Sequence, residues 1–463
     1  MKKESALRKE VLLELWQASG LKNKILFTFL MIFIVRVGVH IPIAGLDISR
    51  IQQLFHQGDL LNFIDMFSGG ALAKFSVFAM GIIPYINSSI IMQLMTAVIP
   101  RLEELQKEEG EAGRRQFAQI TRYLTVVLAT IQAIGMSIWL WRSGAAVGFK
   151  PDGPIPFFFL FDTTVVLVAG TIFIMWIGEL ITEYGIGNGA SLIIFVGIVA
   201  RIPSYAFTTY ELVKEGQTNW FMVTILVLVF LGIMVLIIYA SEGARRLPVQ
   251  SARRQIGNRI YGGRSTYLPF RINQGGVMPI IFASSVILFP MTIFQFNPSL
   301  KETLVKAGQA VFFGLEKYHI PIFIRGFISD LISFDSFSPG KFSYGVFYFL
   351  LIFFFTFFYA SLVMNPVEIA NNLKRYGSYI PGYRPGKPTG EFIERVLTRI
   401  TFCGALFLGI IAILPMIAEH LTGVTSLRGL GSTALLIMVG VAIDLFNQLQ
   451  THLLARQYEG FMK

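Results

Sequence analysis

The sequence predicts an all-α polytopic membrane protein of ten transmembrane helices in two inverted five-helix halves. Three observations carry this. Of 463 residues, 54% are hydrophobic and only 14% charged, with a mean hydropathy of +0.62, whereas a soluble domain carries about 25% charged residues. Apolar runs of about 20 residues, enough to cross a ~30 Å hydrocarbon layer as helix, recur along nearly the whole chain. One short motif also occurs twice, at equivalent places in the two halves.

Taken in order, residues 1–24 mix acids with lysines and have no small-residue cleavage site after a short apolar core, so they are not read as a removable signal. Leu7, Val11, Leu12, Leu15 and Trp16 recur at helical spacing. That spacing suits a cytoplasmic amphipathic helix lying on the membrane surface, or one packed on the protein's own loops. The first half, 25–202, holds spans at 25–43, 75–99, 123–140, 157–177 and 186–202. A hinge connection follows at 203–219. The second half, 220–450, holds spans at 220–239, 277–296, 342–363, 396–417 and 432–449, and 451–463 forms a tail. The single Cys403 excludes an internal disulfide framework.

Charge sets the orientation, because Lys and Arg near span ends are retained on the cytoplasmic side. Arg245, Arg246, Arg253, Arg254, Arg259, Arg264 and Arg271 crowd the loop at about 241–272, against the one acid Glu242. Lys374, Arg375, Arg384, Lys387 and Arg395 fall in the loop at about 365–395. The alternate loops are sparsely basic or balanced by acids. Both termini are therefore expected in the cytoplasm. Topology alone accounts for much of the +11 net charge, but seven Arg in one loop exceeds what orientation needs.

The repeat is G-x-x-P-x-I-x-x-S. It aligns Gly81, Pro84, Ile86 and Ser89 with Gly276, Pro279, Ile281 and Ser284. Each copy lies in the second span of a half, and five is odd, so the halves cross the membrane in opposite senses. An inverted repeat places a functional site near midplane, where the halves meet. Proline and glycine within an apolar span predict broken helices, tolerated only against protein or a water-filled cavity. Asn87, Ser88, Ser89 and Gln93 follow the first break and Ser284 and Ser285 the second. Hydrogen bonds between helices from such groups would close a seam that can still open.

Little points to catalysis. RPGKPTG lacks phosphate-loop spacing, and no HExxH pair exists. GIGNG at 185–189 follows no strand and reads as a tight turn. No cofactor and no metal site is expected. A secondary transporter of small solutes is the rival reading, since broken helices and inverted repeats describe those folds too. Its ionisable candidates would be Arg36, Glu179 and Asp444, none plainly central, whereas the expected midplane offers Ile82, Ile86 and Ile281.

Several stretches resemble one family over nearly the full length: FSGGALAKFSVFAMGIIPYI, EYGIGNGASLIIFVGIV, GRSTYLPFRIN, GGVMPIIFASSVILFP, NPVEIANNLKRYGSYIPGYRPGKPT and DLFNQLQTHLLARQYEG. On these the chain resembles the SecY family, channel subunits of the bacterial-type Sec protein translocon. The resemblance implies a clam of two halves around a central hourglass pore, opening sideways between the second and seventh spans. It implies a pore ring of Ile82, Ile86, Ile194, Ile281 and Ile437, with Ala190 where an Ile is common. A plug at about 62–74 would include Asn62, Phe63, Phe67, Ser68, Gly69 and Gly70. A lateral gate would comprise Asn87, Ser88, Ser89, Gln93, Ser284, Ser285 and Phe289. Arg245, Arg246, Arg253, Arg254, Arg259, Arg264, Arg384 and Lys387 would dock a SecA motor or a ribosome through its RNA. SecE and SecG subunits, signal peptides, unfolded precursors and membrane lipids complete the implied partners. The implied location is multi-pass, in a bacterial plasma membrane or a thylakoid or plastid membrane.

Overall fold

The structure is a computed structural model that describes residues 19–460 except 58, 108–109, 150–152, 154–155, 252–253, 257–258, 262–264, 297, 317–320, 333–341 and 423–431. Most of the predicted N-terminal amphipathic helix therefore lies outside the described residues. In the first half the helices are α1 (Ser19–Gly38), α2 (Ile48–Gln57), α3 (Asp59–Ser68), α4 (Ile83–Thr96), α5 (Pro100–Lys107), α6 (Gly110–Arg142), α7 (Phe157–Tyr184) and α8 (Gly189–Lys214). In the second they are α9 (Trp220–Glu242), α10 (Met278–Phe296), α11 (Pro298–Glu316), α12 (Ile322–Ile332), α13 (Phe342–Val363), α14 (Pro366–Arg375), α15 (Lys387–Thr422) and α16 (Ser432–Gly460).

Each of the ten predicted spans coincides with a helix: α1, α4, α6, α7, α8, α9, α10, α13, α15 and α16. Among the described residues, seven of these are long and apolar enough to cross a membrane by themselves. The other three are α1, with Lys22, Lys24 and Arg36; α4, only 14 residues; and α10, whose apolar stretch is Met278–Pro290. Large apolar side chains such as Phe29, Phe33, Phe158 and Leu228 point outwards and are exposed, as a lipid-facing surface requires.

The repeat has a structural counterpart. Gly81 and Gly276 have φ of +58° and +57°, each two residues before a helix begins. Pro84 and Pro279 are then the second residues of α4 and α10. The expectation of prolines breaking helix interiors is thus corrected. In a first turn the backbone N–H has no helical partner to lose, so proline starts a helix at no cost. The second predicted span is likewise shorter than expected. Residues 69–82 are turns, tied back to the end of α1 by a bridge between Pro42 and Ser76.

Helices pack within each half, α4 on α6, α7 on α8 and α1 on α7, then α13 on α15, α9 on α16 and α10 on α13. The halves meet twice, where α4 and α6 face α10 and where α8 faces α16. One apolar core runs through both junctions. α8 continues through Pro203 to Lys214, so the predicted hinge at 203–219 is mostly helix. Pro203 lies inside this helix, as membrane helices tolerate where neighbouring groups can take up the backbone groups a proline frees.

An all-α reading misses five strands. β1 (Ala244–Ser251) pairs antiparallel with β4 (Ser265–Arg271) and with β5 (Ser378–Tyr379), and β2 (Arg254–Ile256) pairs with β3 (Arg259–Tyr261). Leu247 and Val249 alternate with exposed residues on β1, the period of a half-buried strand. They join Phe270, Ile380, Ile393 and Val396 in a second, smaller core. The two basic loops are therefore one folded unit on one face of the molecule.

Candidate pore, plug and lateral seam

Ile82 and Ile86 are four residues apart at the start of α4, with the Ile86 amide donating to the Ile82 carbonyl at 3.1 Å. Residues at that spacing share a helix face. Ile194 comes from α8, Ile281 from α10 and Ile437 from α16, so four helices and both halves contribute. All five are buried and lie in the one core cluster. Ala190, at the start of α8, packs on the same cluster and is partly buried. GIGNG is the expected turn: Gly187 has φ +87°, and Asn188 caps α8 by accepting from the Ser191 amide at 3.2 Å.

α3 ends at Ser68 and the chain turns through Gly69 and Gly70, with φ of +67° and +92°. Phe67 and Ser68 line a cavity of about 20 Å³ together with Ile82, Arg36, Ile193 and Gly197. Such a volume holds about one water. The segment read as a plug thus lies beside Ile82, one of the five isoleucines. Asn62, half-buried, donates to the Phe55 carbonyl at 3.0 Å. Phe63 lies in α3, but its side chain is outside the described residues.

Three charged residues fix this segment, and reading the sequence for a ring and a gate passes over two of them. Asp65 is fully buried. Its Oδ1 accepts from the Ala73 amide and the Ser68 hydroxyl, both at 2.9 Å, and its Oδ2 pairs with the Arg201 guanidinium from α8. Arg36, which the sequence offers only as an ionisable residue of the first span, not plainly central, donates from α1 to the Gly69 carbonyl at 3.1 Å. The signal in the sequence is an acid inside an apolar helix and an Arg at the far end of the fifth span. The other ionisable candidates stand apart from this group. Glu179 pairs with Arg122 at 2.9 Å, and Asp444 lies beside Gly276.

On α4 and α10, which pack against each other, Asn87, Ser88, Ser284 and Ser285 are buried and Ser89, Gln93 and Phe289 half-buried. Hydrogen bonds across this seam were expected, but those observed among the described residues stay within a helix. Ser88 donates to the Pro84 carbonyl at 2.8 Å, Ser284 to the Ile281 carbonyl at 2.9 Å, and Gln93 to Ser89 at 3.2 Å. A hydroxyl one turn from a carbonyl finds it at little entropic cost. Asn87 Nδ2 is buried without a partner among the described residues. Ile86 and Ile90 of α4 and Ile281 and Ile287 of α10 lie in one shared apolar core.

Of the basic residues, Arg245 and Arg246 are exposed on β1, opposite Phe270 and Pro269 of β4. Arg254 and Arg259 fall on β2 and β3 with side chains outside the described residues, and Arg253 and Arg264 lie outside them altogether. Arg384 and Lys387 are exposed at the turn that opens α15, where the Thr389 hydroxyl holds the Arg384 carbonyl at 2.7 Å.

Residues 76–446 match the family model SecY. The chain is 46% identical to the protein translocase subunit SecY of Synechocystis over 455 residues, 98% of this chain and 97% of that one. It is 44% identical to that of Synechococcus elongatus over 98% of this chain and 97% of the relative. The chain belongs to the SecY family. Among solved structures, "The structure of a protein conducting channel" superposes with a TM-score of 0.61 at 16% identity, covering 93% of this chain and 92% of that one. Sec61 in the canine ribosome-channel complex gives 0.58 at 15% identity, covering 93% and 92%. The SecY match takes in the isoleucines, both seam helices and both basic loops, and it starts just after Phe75, at the foot of the plug segment.

Proposed function

We propose that this SecY-family chain is the protein-conducting subunit of a translocon, passing unfolded, signal-bearing polypeptides across the membrane and releasing apolar segments sideways into lipid. It is a channel, not an enzyme. The observation that carries the reading is that Ile82, Ile86, Ile194, Ile281 and Ile437, drawn from both halves, are buried in one apolar core, with Phe67 and Ser68 of the segment at 62–74 lining a cavity beside Ile82.

The chemistry suits the task. A translocating chain presents every type of side chain, so its pore must bind none of them strongly; apolar walls exclude water and ions without a specific site. Relatives named protein translocase subunits and solved neighbours that are a protein-conducting channel and Sec61 favour this over the transporter reading. A signal's apolar core of about 7–15 residues leaves between α4 and α10 and gains roughly 0.8 kcal/mol per buried methylene. Partitioning does the sorting, and work comes from outside. On this reading the sheet-bearing face is cytoplasmic, in a bacterial-type plasma, thylakoid or plastid membrane. SecE and SecG accompany the chain, and SecA or a ribosome docks on Arg245, Arg246, Arg384, Lys387 and their neighbours. A channel–ribosome complex among the structural neighbours supports that last point.

The test is reconstitution with SecE, SecG, SecA and a signal-bearing precursor in vesicles. Precursor that becomes protease-protected only with a functional signal is the expected result. Accumulation of a small solute by the chain with no precursor transport would overturn the reading. Replacing both Ile86 and Ile281 by Gly is expected to raise resting ion conductance in planar bilayers, and an unchanged conductance would remove these residues from the seal.

A further inference from the structure

Resting on the plug reading, we propose that Asp65, Arg201 and Arg36 form a charged latch that keeps the plug seated and sets the threshold for opening. They act as positioning residues, since none lies in the isoleucine cluster itself.

The segment is held at two levels. At its foot, Pro42 bridges Ser76, the Ile43 amide donates to the Phe75 carbonyl at 3.0 Å and the Val77 amide to the Ile41 carbonyl at 3.0 Å. These are backbone contacts that survive a swing of what lies between. At its tip the holding contacts are of another kind. Asp65 turns its buried carboxylate to Arg201 of α8, and Gly69 turns its carbonyl to Arg36 of α1. A Cβ on Gly69 would stand 2.8 Å from Gly197 Cα, so plug and α8 touch backbone to backbone. That closeness brings Asp65 within reach of Arg201, one turn further along α8.

Seated, the carboxylate is ion-paired with Arg201 and accepts from the Ser68 hydroxyl and the Ala73 amide. The Ser68 and Ala73 contacts lie within the segment and travel with it when it leaves. The contact to Arg201 does not. Displacement therefore separates a buried charge pair, and the cost falls on opening alone. A buried pair that loses one partner leaves an uncompensated charge, whereas neutralising both is far milder. The latch thus predicts strong coupling between the two positions.

The experiment measures resting single-channel current of the reconstituted translocon complex. Asp65→Asn and Arg201→Gln are each expected to raise resting open probability at least about tenfold. The double variant is expected to leak no more than either single, the non-additive result of residues acting as a pair. Signal-dependent export is expected to persist in all three, and a precursor with a weakened signal to pass more readily. Deletion of 62–74 runs alongside. If the deletion leaks while Asp65→Asn seals like wild type, the latch is wrong and the plug stands. If the deletion also seals, the plug reading fails and the latch falls with it. Additive leaks in the double variant, or loss of export together with the seal, would instead mark general misfolding and overturn the latch.

Discussion

At the residue scale, glycine does two different jobs in this bundle, and substitution separates them. A Cβ on Gly189 would stand 1.9 Å from the Gly178 carbonyl oxygen, so α7 and α8 pack backbone on backbone there. Backbone cannot give way like a side chain, and overpacking of this kind costs about 1–3 kcal/mol. Gly232, by contrast, is exposed in the middle of α9, and an added methyl there would have no described neighbour within 4 Å. Gly189→Ala is expected to lower the midpoint of thermal unfolding in detergent by several degrees. Gly232→Ala is expected to leave it unchanged or raise it slightly, since alanine is the better helix former by about 1 kcal/mol. Of the isoleucines, the repeat marked Ile86 and Ile281 in the sequence, while Ile194 and Ile437 came only with the family resemblance. Asp65 and Arg201 were not legible there, because nothing local distinguishes a buried carboxylate from an exposed one until its partner, 136 positions along the chain, is brought beside it.

At the scale of elements, α4 and α10 pack against each other within one apolar core, and α4 carries a buried amide, Asn87, whose Nδ2 finds no acceptor among the described residues. An unsatisfied buried donor costs about 1–3 kcal/mol, and here it destabilises the closed state selectively if opening exposes it to water. Asn87→Leu is therefore expected to hold the seam shut, slowing signal-dependent export severalfold while lowering resting conductance. Both are read in the same reconstituted vesicles and bilayers, and faster export would sink the argument. Where these helices begin was only half legible. The glycine–proline repeat located them, but proline inside a span looks the same in sequence whether it kinks a helix or starts one. The β1–β4 hairpin was hidden for a related reason. Leu247, Val249 and Phe270 alternate as a strand should, yet the surrounding arginines drew the reading to charge alone.

At the scale of the molecule, composition and ten apolar runs were enough for the class of protein, since a bilayer leaves few ways to satisfy a backbone. Which helices of the two halves touch was not readable from composition. It follows from α4 meeting α10 and α8 meeting α16, contacts between positions far apart in sequence. The same long-range assembly joins the two basic loops into one sheet through the pairing of Gln250 with Tyr379, and Arg245, Arg246 and Arg384 are exposed on it and on the turn that follows. Arg384 is exposed, and its backbone carbonyl is held by Thr389. Arg384→Glu should therefore leave the fold intact, because exposed charges away from such contacts change stability by only about 0.5 kcal/mol. It reverses a charge on the face proposed to dock the motor, where rim charges govern encounter with a partner more than its grip once bound. SecA-driven export into vesicles is expected to fall at least tenfold, with the loss deepening as ionic strength drops and repulsion is less screened. Insertion driven by a ribosome, proposed to be held in addition by the arginines of β1, is expected to fall far less. Equal loss of both activities, with a lowered unfolding midpoint, would mean that Arg384 supports the loop and not the motor.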